Sequence, residues 1–321
     1  MDTTNELLQV IKTISQMKVL IKSLQNNSKI GFVPTMGYLH QGHLSLVKKS
    51  LKECDVTVVS IYVNPLQFGV NEDFDKYPRN LINDLYLLQE TLKKENKSYQ
   101  DNQPTELSTK QISKIIVFCP DNSEIFPKDF NSFVEIGILS DLYCGKTRPG
   151  HFRGVATIIL KLLNIVQPNL MYMGEKDFQQ VFILEKMIKD LNFSSKIVRC
   201  PIIRESDGLA MSSRNVYLKH EPIEKRAFDK NGFSERKRAI CLYKSLLIAK
   251  NFYYEKVYEV EFIKKYMKEL IIENNGEIDY IAFINDKTFQ EVEYIDEDTR
   301  ILLAVKIGKT RLIDNIKMVS S

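Results

Sequence analysis

Over the first two-thirds of the chain, short apolar runs alternate with longer segments in which apolar residues recur at helical spacing. Ile30–Val33, Val56–Tyr62, Ile115–Phe118, Phe133–Ile136, Leu170–Met173 and Lys196–Arg199 read as strands. Their β-branched and aromatic content, with little alternation in the second, predicts strands buried on both faces. Helical segments fall between them, including His43–Glu53, Leu81–Lys94, Val155–Val166 and Phe178–Leu191. In the third of these, Val155, Ile158, Ile159, Leu162 and Ile165 form one apolar face. Strand–helix alternation of this kind predicts an α/β fold with a doubly wound parallel sheet. Such sheets bind ligands outside the carboxyl ends of their strands.

The pattern changes after about Ile203. Residues 238–272 read as two helices, and Glu277–Ile284, Ile301–Ile307 and Arg311–Ile313 as strands of a second, smaller α+β domain. The expected division is a ligand-binding domain over 1–203 and a smaller C-terminal domain over 204–321 that closes on it as a lid. Two polar stretches, roughly 93–114 and 220–238, are dense in Lys, Asn and Gln or Glu and read as solvated surface insertions. No internal repeat is present.

Composition narrows the class. At 321 residues, 44% apolar and 27% charged, the chain has the makeup of a globular protein with room for two cores. A formal charge of +4 lacks the concentrated basic face expected of a nucleic-acid binder. The start, Met1-Asp2-Thr3-Thr4-Asn5-Glu6, has no basic and apolar leader pattern. The longest apolar stretch, near Gly154–Val166, is interrupted by Lys161 and too short for a membrane span. Five cysteines (Cys54, Cys119, Cys144, Cys200, Cys241) are scattered without a Cys-x-x-Cys pair, which points to reduced thiols and a cytoplasmic location.

Candidate chemistry begins at the first of these strands: Phe32-Val33-Pro34-Thr35-Met36-Gly37-Tyr38-Leu39-His40-Gln41-Gly42-His43. A strand runs into a glycine-bearing turn that opens a helix, and a helix start offers unpaired N–H groups suited to phosphate. His40 and His43 can both face a bound anion. Three of the four histidines, these two and His151, stand in glycine-bearing segments. Zinc ligation by the three is the rival reading, but no acidic or thiol ligand sits at matching spacing. Solvated helix-start histidines are the other. Neither the P-loop pattern nor the dinucleotide fingerprint occurs. Gly174-Glu175-Lys176-Asp177-Phe178-Gln179-Gln180 follows a strand and puts Lys176 at the expected crevice. Asp207 through Arg214 supplies Ser212, Ser213 and the guanidinium of Arg214, a set able to clamp a polyphosphate. Taken singly, either segment reads equally well as an ordinary loop.

These segments together resemble the pantoate–β-alanine ligases, within the nucleotidylyltransferase superfamily. The likeness takes in Val33–His43, Val63-Asn64-Pro65-Leu66-Gln67-Phe68-Gly69 and Tyr77-Pro78-Arg79. It continues through Arg148-Pro149-Gly150-His151-Phe152-Arg153-Gly154-Val155, Gly174–Gln180, Met211-Ser212-Ser213-Arg214-Asn215 and Arg311-Leu312-Ile313-Asp314-Asn315. Only the two insertions fall outside it.

The resemblance implies a Rossmann-like sheet and a two-step reaction: pantoate attacks the α-phosphorus of ATP, and β-alanine then displaces AMP from pantoyl adenylate. It implies that Met36, Gly37, Tyr38, Leu39, His40, Gln41, Gly42 and His43 hold ATP together with Gly174, Glu175, Lys176, Asp177, Ile203, Met211, Ser212, Ser213 and Arg214. His43, His40, Lys176 and Arg214 take the catalytic roles, and Gln67, Gln180 and Asn64 face pantoate or β-alanine. A homodimer and a need for Mg²⁺ are implied too, with Asp84 the nearest acidic match for the metal and Asn83 and Leu87 replacing residues that could assist it. Mg²⁺ is then held mostly by ATP phosphates and water. Cys144 stands where relatives commonly carry an acid, and reads as a packing thiol. Rival functions are a nucleotidylyltransferase that stops after AMP or CMP transfer, a tRNA-recognising synthetase-like protein, and a catalytically inactive homologue.

Overall fold

The computed structural model describes residues 7–25, 27–70, 72–101, 113–218 and 234–319. Half of the predicted insertion at 93–114, most of that at 220–238, and the Met1–Glu6 start lie outside the described residues. The chain divides into two compact units: residues 1–175 with 179–201, and residues 176–178 with 202–321.

The first unit is built on six parallel strands. In chain order its elements are β1 (Leu8–Ile11), α1 (Ile14–Leu24), β2 (Ile30–Thr35), α2 (Gln41–Glu53), β3 (Val56–Ile61), α3 (Leu81–Asp101), β4 (Lys114–Phe118), α4 (Asn122–Ile125), α5 (Cys144–Thr147), α6 (His151–Val166), β5 (Leu170–Gly174), α7 (Phe178–Asp190) and β6 (Lys196–Cys200). The sheet order is β1-β4-β3-β2-β5-β6. All six residues of β3 are buried, as its unbroken apolar run predicts. Along β2, Phe32 packs with α6 on one face and Val33 with α2 on the other, so period-two alternation feeds two cores at once. Strand order reverses between β2 and β5, which pair in parallel through Gly31–Leu170 and Phe32–Met171. The carboxyl ends at this reversal are where a doubly wound sheet leaves a crevice.

Three differences from the sequence reading stand out. β1 and α1 were not anticipated. α1 is capped at its start by Thr13, whose hydroxyl accepts the Gln16 N–H, and buries Met17 and Ile21. Phe133–Ile136 is not a strand. Its Val134 N–H donates to Thr157 Oγ1 on α6 at 3.0 Å, and Arg153 lies over the Phe133 ring, so a helix face takes the place of a ladder partner. α6 itself begins at His151, four residues before the predicted start.

The second unit holds α8 (Glu235–Ala239), α9 (Cys241–Tyr254), α10 (Val260–Glu273) and the antiparallel strands β7 (Gly276–Asn285), β8 (Thr299–Ile307) and β9 (Thr310–Lys317). Leu242 and Leu246 of α9 and Ile263 and Met267 of α10 bury against Ile301, Leu303 and Val305 of β8. Among the described residues no helix is long and apolar enough to cross a membrane.

Candidate active site

The histidine turn leaves the end of β2. Thr35 donates its hydroxyl to Ser60 O at 2.7 Å and accepts the Gly37 N–H at 3.1 Å, which bends the chain out of the sheet. Gly37 and Tyr38 then both take left-handed conformations, φ +79° and +51°. A Cβ at position 37 would press on Ile61 and Asp84, so glycine answers both the dihedral and the space. Such a turn needs an external hold. Asp84, on the first turn of α3 and 1% exposed, supplies it: its two carboxylate oxygens accept the N–H groups of Tyr38 at 2.8 Å and Leu39 at 2.7 Å. Burial raises the Asp84 pKa above the ordinary carboxylate range, against the lowering effect of those two N–H bonds.

His40 caps α2. Its Nδ1 accepts the Gly42 N–H at 3.1 Å, while His43 Nδ1 accepts the His40 N–H at 3.3 Å, a reciprocal capping box made of two imidazoles. The rings lie 4.0 Å apart. Because each Nδ1 accepts, the ring proton of each neutral imidazole belongs on Nε2. Two Nε2–H donors therefore share the start of a helix with its positive dipole end, an arrangement that suits phosphate oxygens.

Beside this turn, Asn64 is buried and caps the short helical turn Pro65–Gln67. Its amide nitrogen donates to Gln67 Oε1 at 3.0 Å and to Gly154 O at 3.1 Å, and its oxygen accepts the Leu66 N–H. Gln67 in turn donates to the sulfur of Met36 at 3.2 Å. Asn64 thus holds the Gln67 side chain and ties its turn to α6. Met36, His40, His43, Asn64 and Gln67 all belong to the first unit, on the histidine turn with the start of α2 and on the Asn64–Gln67 turn, which the Gln67–Met36 bond joins. Gln180 is half-buried on the first turn of α7. Its neighbour Gln179 donates to the Leu139 and Leu142 carbonyls at 3.0 and 2.8 Å and accepts the Cys144 N–H at 3.1 Å. Cys144 is buried, as a packing thiol should be.

In the second unit, Lys176 sits in the turn Glu175–Asp177, with Nζ 3.8 Å from Asp177. Its carbonyl accepts Asn315 Nδ2 at 3.0 Å. The adjoining Asp314 carboxylate takes both ends of the Arg204 guanidinium, at 2.6 and 2.9 Å. One Asp–Asn pair at the end of β9 therefore anchors the Lys176 turn and the start of the Ile203–Arg214 loop. That loop is tied by the Met211 N–H to Ile203 O at 2.9 Å and the Arg214 N–H to Ser212 Oγ at 3.2 Å, with Ser213 buried beneath.

Among the described residues no group of three or more His, Cys, Asp or Glu side chains is placed to hold a metal. His40 and His43 direct Nδ1 to backbone N–H groups, and the His151 ring bonds Arg148 and Gln67. Sequence reasoning missed the holding residues Glu72, Gln179 and Arg204. Glu72 and Arg204 lie outside the quoted motifs, so no local pattern carries their signal.

The sequence model of the family described as Pantoate-beta-alanine ligase matches residues 9–317. The chain is 45% identical over 309 residues to the pantothenate synthetase of Caldicellulosiruptor bescii, covering 96% of this chain and 98% of that one. It is 44% identical to that of Acetivibrio thermocellus, covering 96% and 99%. Among solved structures, a pantothenate synthetase from Thermus thermophilus matches with a TM-score of 0.81 at 34% identity, covering 97% of this chain and 100% of the other. A pantoate-beta-alanine ligase from Francisella tularensis, complexed with beta-gamma ATP and beta-alanine, matches with a TM-score of 0.71 at 32% identity, covering 98% and 99%.

Proposed function

The chain belongs to the pantoate–β-alanine ligase family, and from that premise we propose which of its residues carry out each part of the reaction. It condenses pantoate with β-alanine, converting ATP to AMP and pyrophosphate through pantoyl adenylate. In the first step a pantoate carboxylate oxygen bonds to the α-phosphorus as the bond to pyrophosphate breaks. In the second the β-alanine amine attacks the acyl carbon, AMP leaves with the former carboxylate oxygen, and the amine loses a proton.

The first step sets an anion against an already anionic triphosphate. Preorganised donors and cations counter that repulsion and stabilise charge as it passes to pyrophosphate. We assign this work to the Nε2–H groups of His40 and His43 and to the charges of Lys176 and Arg214. The backbone of Met36–His43, Gly174–Asp177, Ile203 and Met211–Ser213 holds the nucleotide. Gln67 and Gln180 hydrogen-bond the hydroxyls and carboxylate of pantoate, with Asn64 keeping Gln67 in register. A buried amide left unpaired penalises an analogue that lacks those hydroxyls. Mg²⁺ enters as part of the MgATP substrate. The metal would be held mostly by phosphates and water, with Asp84 the acidic residue that could assist while its oxygens also accept two backbone N–H groups.

The observation that carries the assignment is the histidine capping box, which fixes two ring donors at a helix start. Exchange of pyrophosphate into ATP tests it. Exchange should require pantoate and proceed without β-alanine. Pantoate-independent exchange would favour a nucleotidylyltransferase of another kind, and salt-sensitive tRNA binding a synthetase-like role. The protein works as a cytoplasmic homodimer. Its free thiols accord with a reducing compartment, and sedimentation equilibrium at about twice the chain mass checks the assembly.

A further inference from the structure

The segment Arg148–Val155 is a part of the sequence pattern to which the reaction gives no role. The Arg148 and His151 side chains converge on one residue, Gln67. The Arg148 guanidinium, 12% exposed, grips Glu72 with two N–H groups, one of them Nε–H to Oε1 at 2.6 Å. It also donates through Nη2 to the Gln67 carbonyl at 3.2 Å and through Nη1 to His151 Nε2 at 3.1 Å. Arginine can only donate, so His151 Nε2 accepts and the ring proton sits on Nδ1. That Nδ1–H donates to the same Gln67 carbonyl at 2.8 Å. One turn along α6, Gly154 packs so closely on the Leu66–Gln67 backbone that a Cβ would overlap the Leu66 carbonyl. The Gly154 carbonyl receives Asn64, whose other amide hydrogen goes to the Gln67 side chain.

We propose that Glu72, Arg148 and His151 are positioning residues for pantoate: two donors on the Gln67 carbonyl, one of them aligned by the Glu72 carboxylate, set the direction in which the Gln67 amide meets the substrate. The inference rests on the reading of Gln67 as a pantoate residue. It concerns binding of the hydroxy acid before the nucleotide, because the bonds from Arg148 and His151 end on the Gln67 carbonyl, and the histidine turn is reached one step farther on, through the Gln67 amide and the Met36 sulfur. A network that only tied down the loop would lower stability and disturb both substrates together.

The test is pyrophosphate exchange with the full chain as H151A, H151N and E72Q, varying pantoate and ATP separately. Losing one of two hydrogen bonds to the carbonyl should raise the pantoate KM roughly five- to tenfold in H151A, with the ATP KM within about twofold. The amide nitrogen of H151N falls near the place of Nδ1 and should restore most of the loss. E72Q keeps His151 and tests the same axis if H151A folds poorly. An unchanged pantoate KM in both H151A and E72Q, an ATP KM that rises in step, or an H151N as impaired as H151A overturns the proposal. Wild-type exchange that ignores pantoate overturns the ligase reading as well, so the two failures are distinguishable.

Discussion

His43 is assigned two functions on one ring, and the two nitrogens separate them. Nδ1 completes the cap of α2 by accepting the His40 N–H, and Nε2–H is the group assigned to a phosphate oxygen. His43→Ala removes both, and kcat should fall about 10²–10³-fold, as for loss of one preorganised donor. Lys176→Ala should lose a similar factor by removing a charge, and single-turnover adenylate formation would measure either. Asp84 acts one step farther back. A raised carboxylate pKa means that ionisation in the folded protein costs stability. The cost is fully present above the raised value and is relieved as pH falls through it toward the ordinary ~3.9. Function runs the other way, since a protonated oxygen cannot hold the Tyr38 or Leu39 N–H. The ATP KM should therefore climb on the acid side in the wild type, while Asp84→Asn shows a high ATP KM that stays flat over the same range. If Asp84→Asn instead raised only the Mg²⁺ concentration needed for half-activity, Asp84 would be a metal ligand.

At the scale of elements, what the sequence revealed follows how local the cause is. β3 and α6 are legible because unbroken burial and a helical apolar face leave their mark on adjacent residues. Ile14, Met17, Ile21 and Leu24 of α1 carry helical spacing too, but the polar residues between them hid it. Phe133–Ile136 misled because its β-branched and aromatic residues pack on a helix, and composition cannot distinguish that partner from a strand. The site divides in the same way. The histidine turn, Lys176 and Arg214 carry chemistry within short segments, whereas Asp84 reaches Tyr38 across 46 residues and Glu72 reaches Arg148 across 76. The end of β9 is another such distant hold. Asn315→Ala would strip the Lys176 carbonyl of its donor and leave an Arg300 N–H without its 2.7 Å acceptor. Each unsatisfied buried group costs about 1–3 kcal/mol. Denaturant unfolding should show that loss, with a raised ATP KM and an unchanged pantoate KM.

For the whole molecule, each unit owns a core, and the residues assigned to ATP are distributed over both units. His40 and His43 belong to the first, while Lys176, Ser212, Ser213 and Arg214 belong to the second. A ligand stabilises only the structure it binds, by RT ln(1 + [L]/Kd), or about 2.7 kcal/mol at a hundred times Kd. MgATP added without pantoate should therefore slow amide exchange in both cores. The informative amides are in Phe32–Val33 of β2 and in Leu302–Val305 of β8, buried strand positions that open only when their unit opens. Leu303→Ala sharpens the comparison. Truncating this fully buried side chain should cost about 2–5 kcal/mol, and MgATP should return part of that loss only if the second unit grips the nucleotide. Protection confined to β2 and α2, with β8 exchanging at its ligand-free rate, would mean that Lys176 and Arg214 do not hold ATP. The phosphate site would then have to be built from the histidine turn and its neighbours in the first unit.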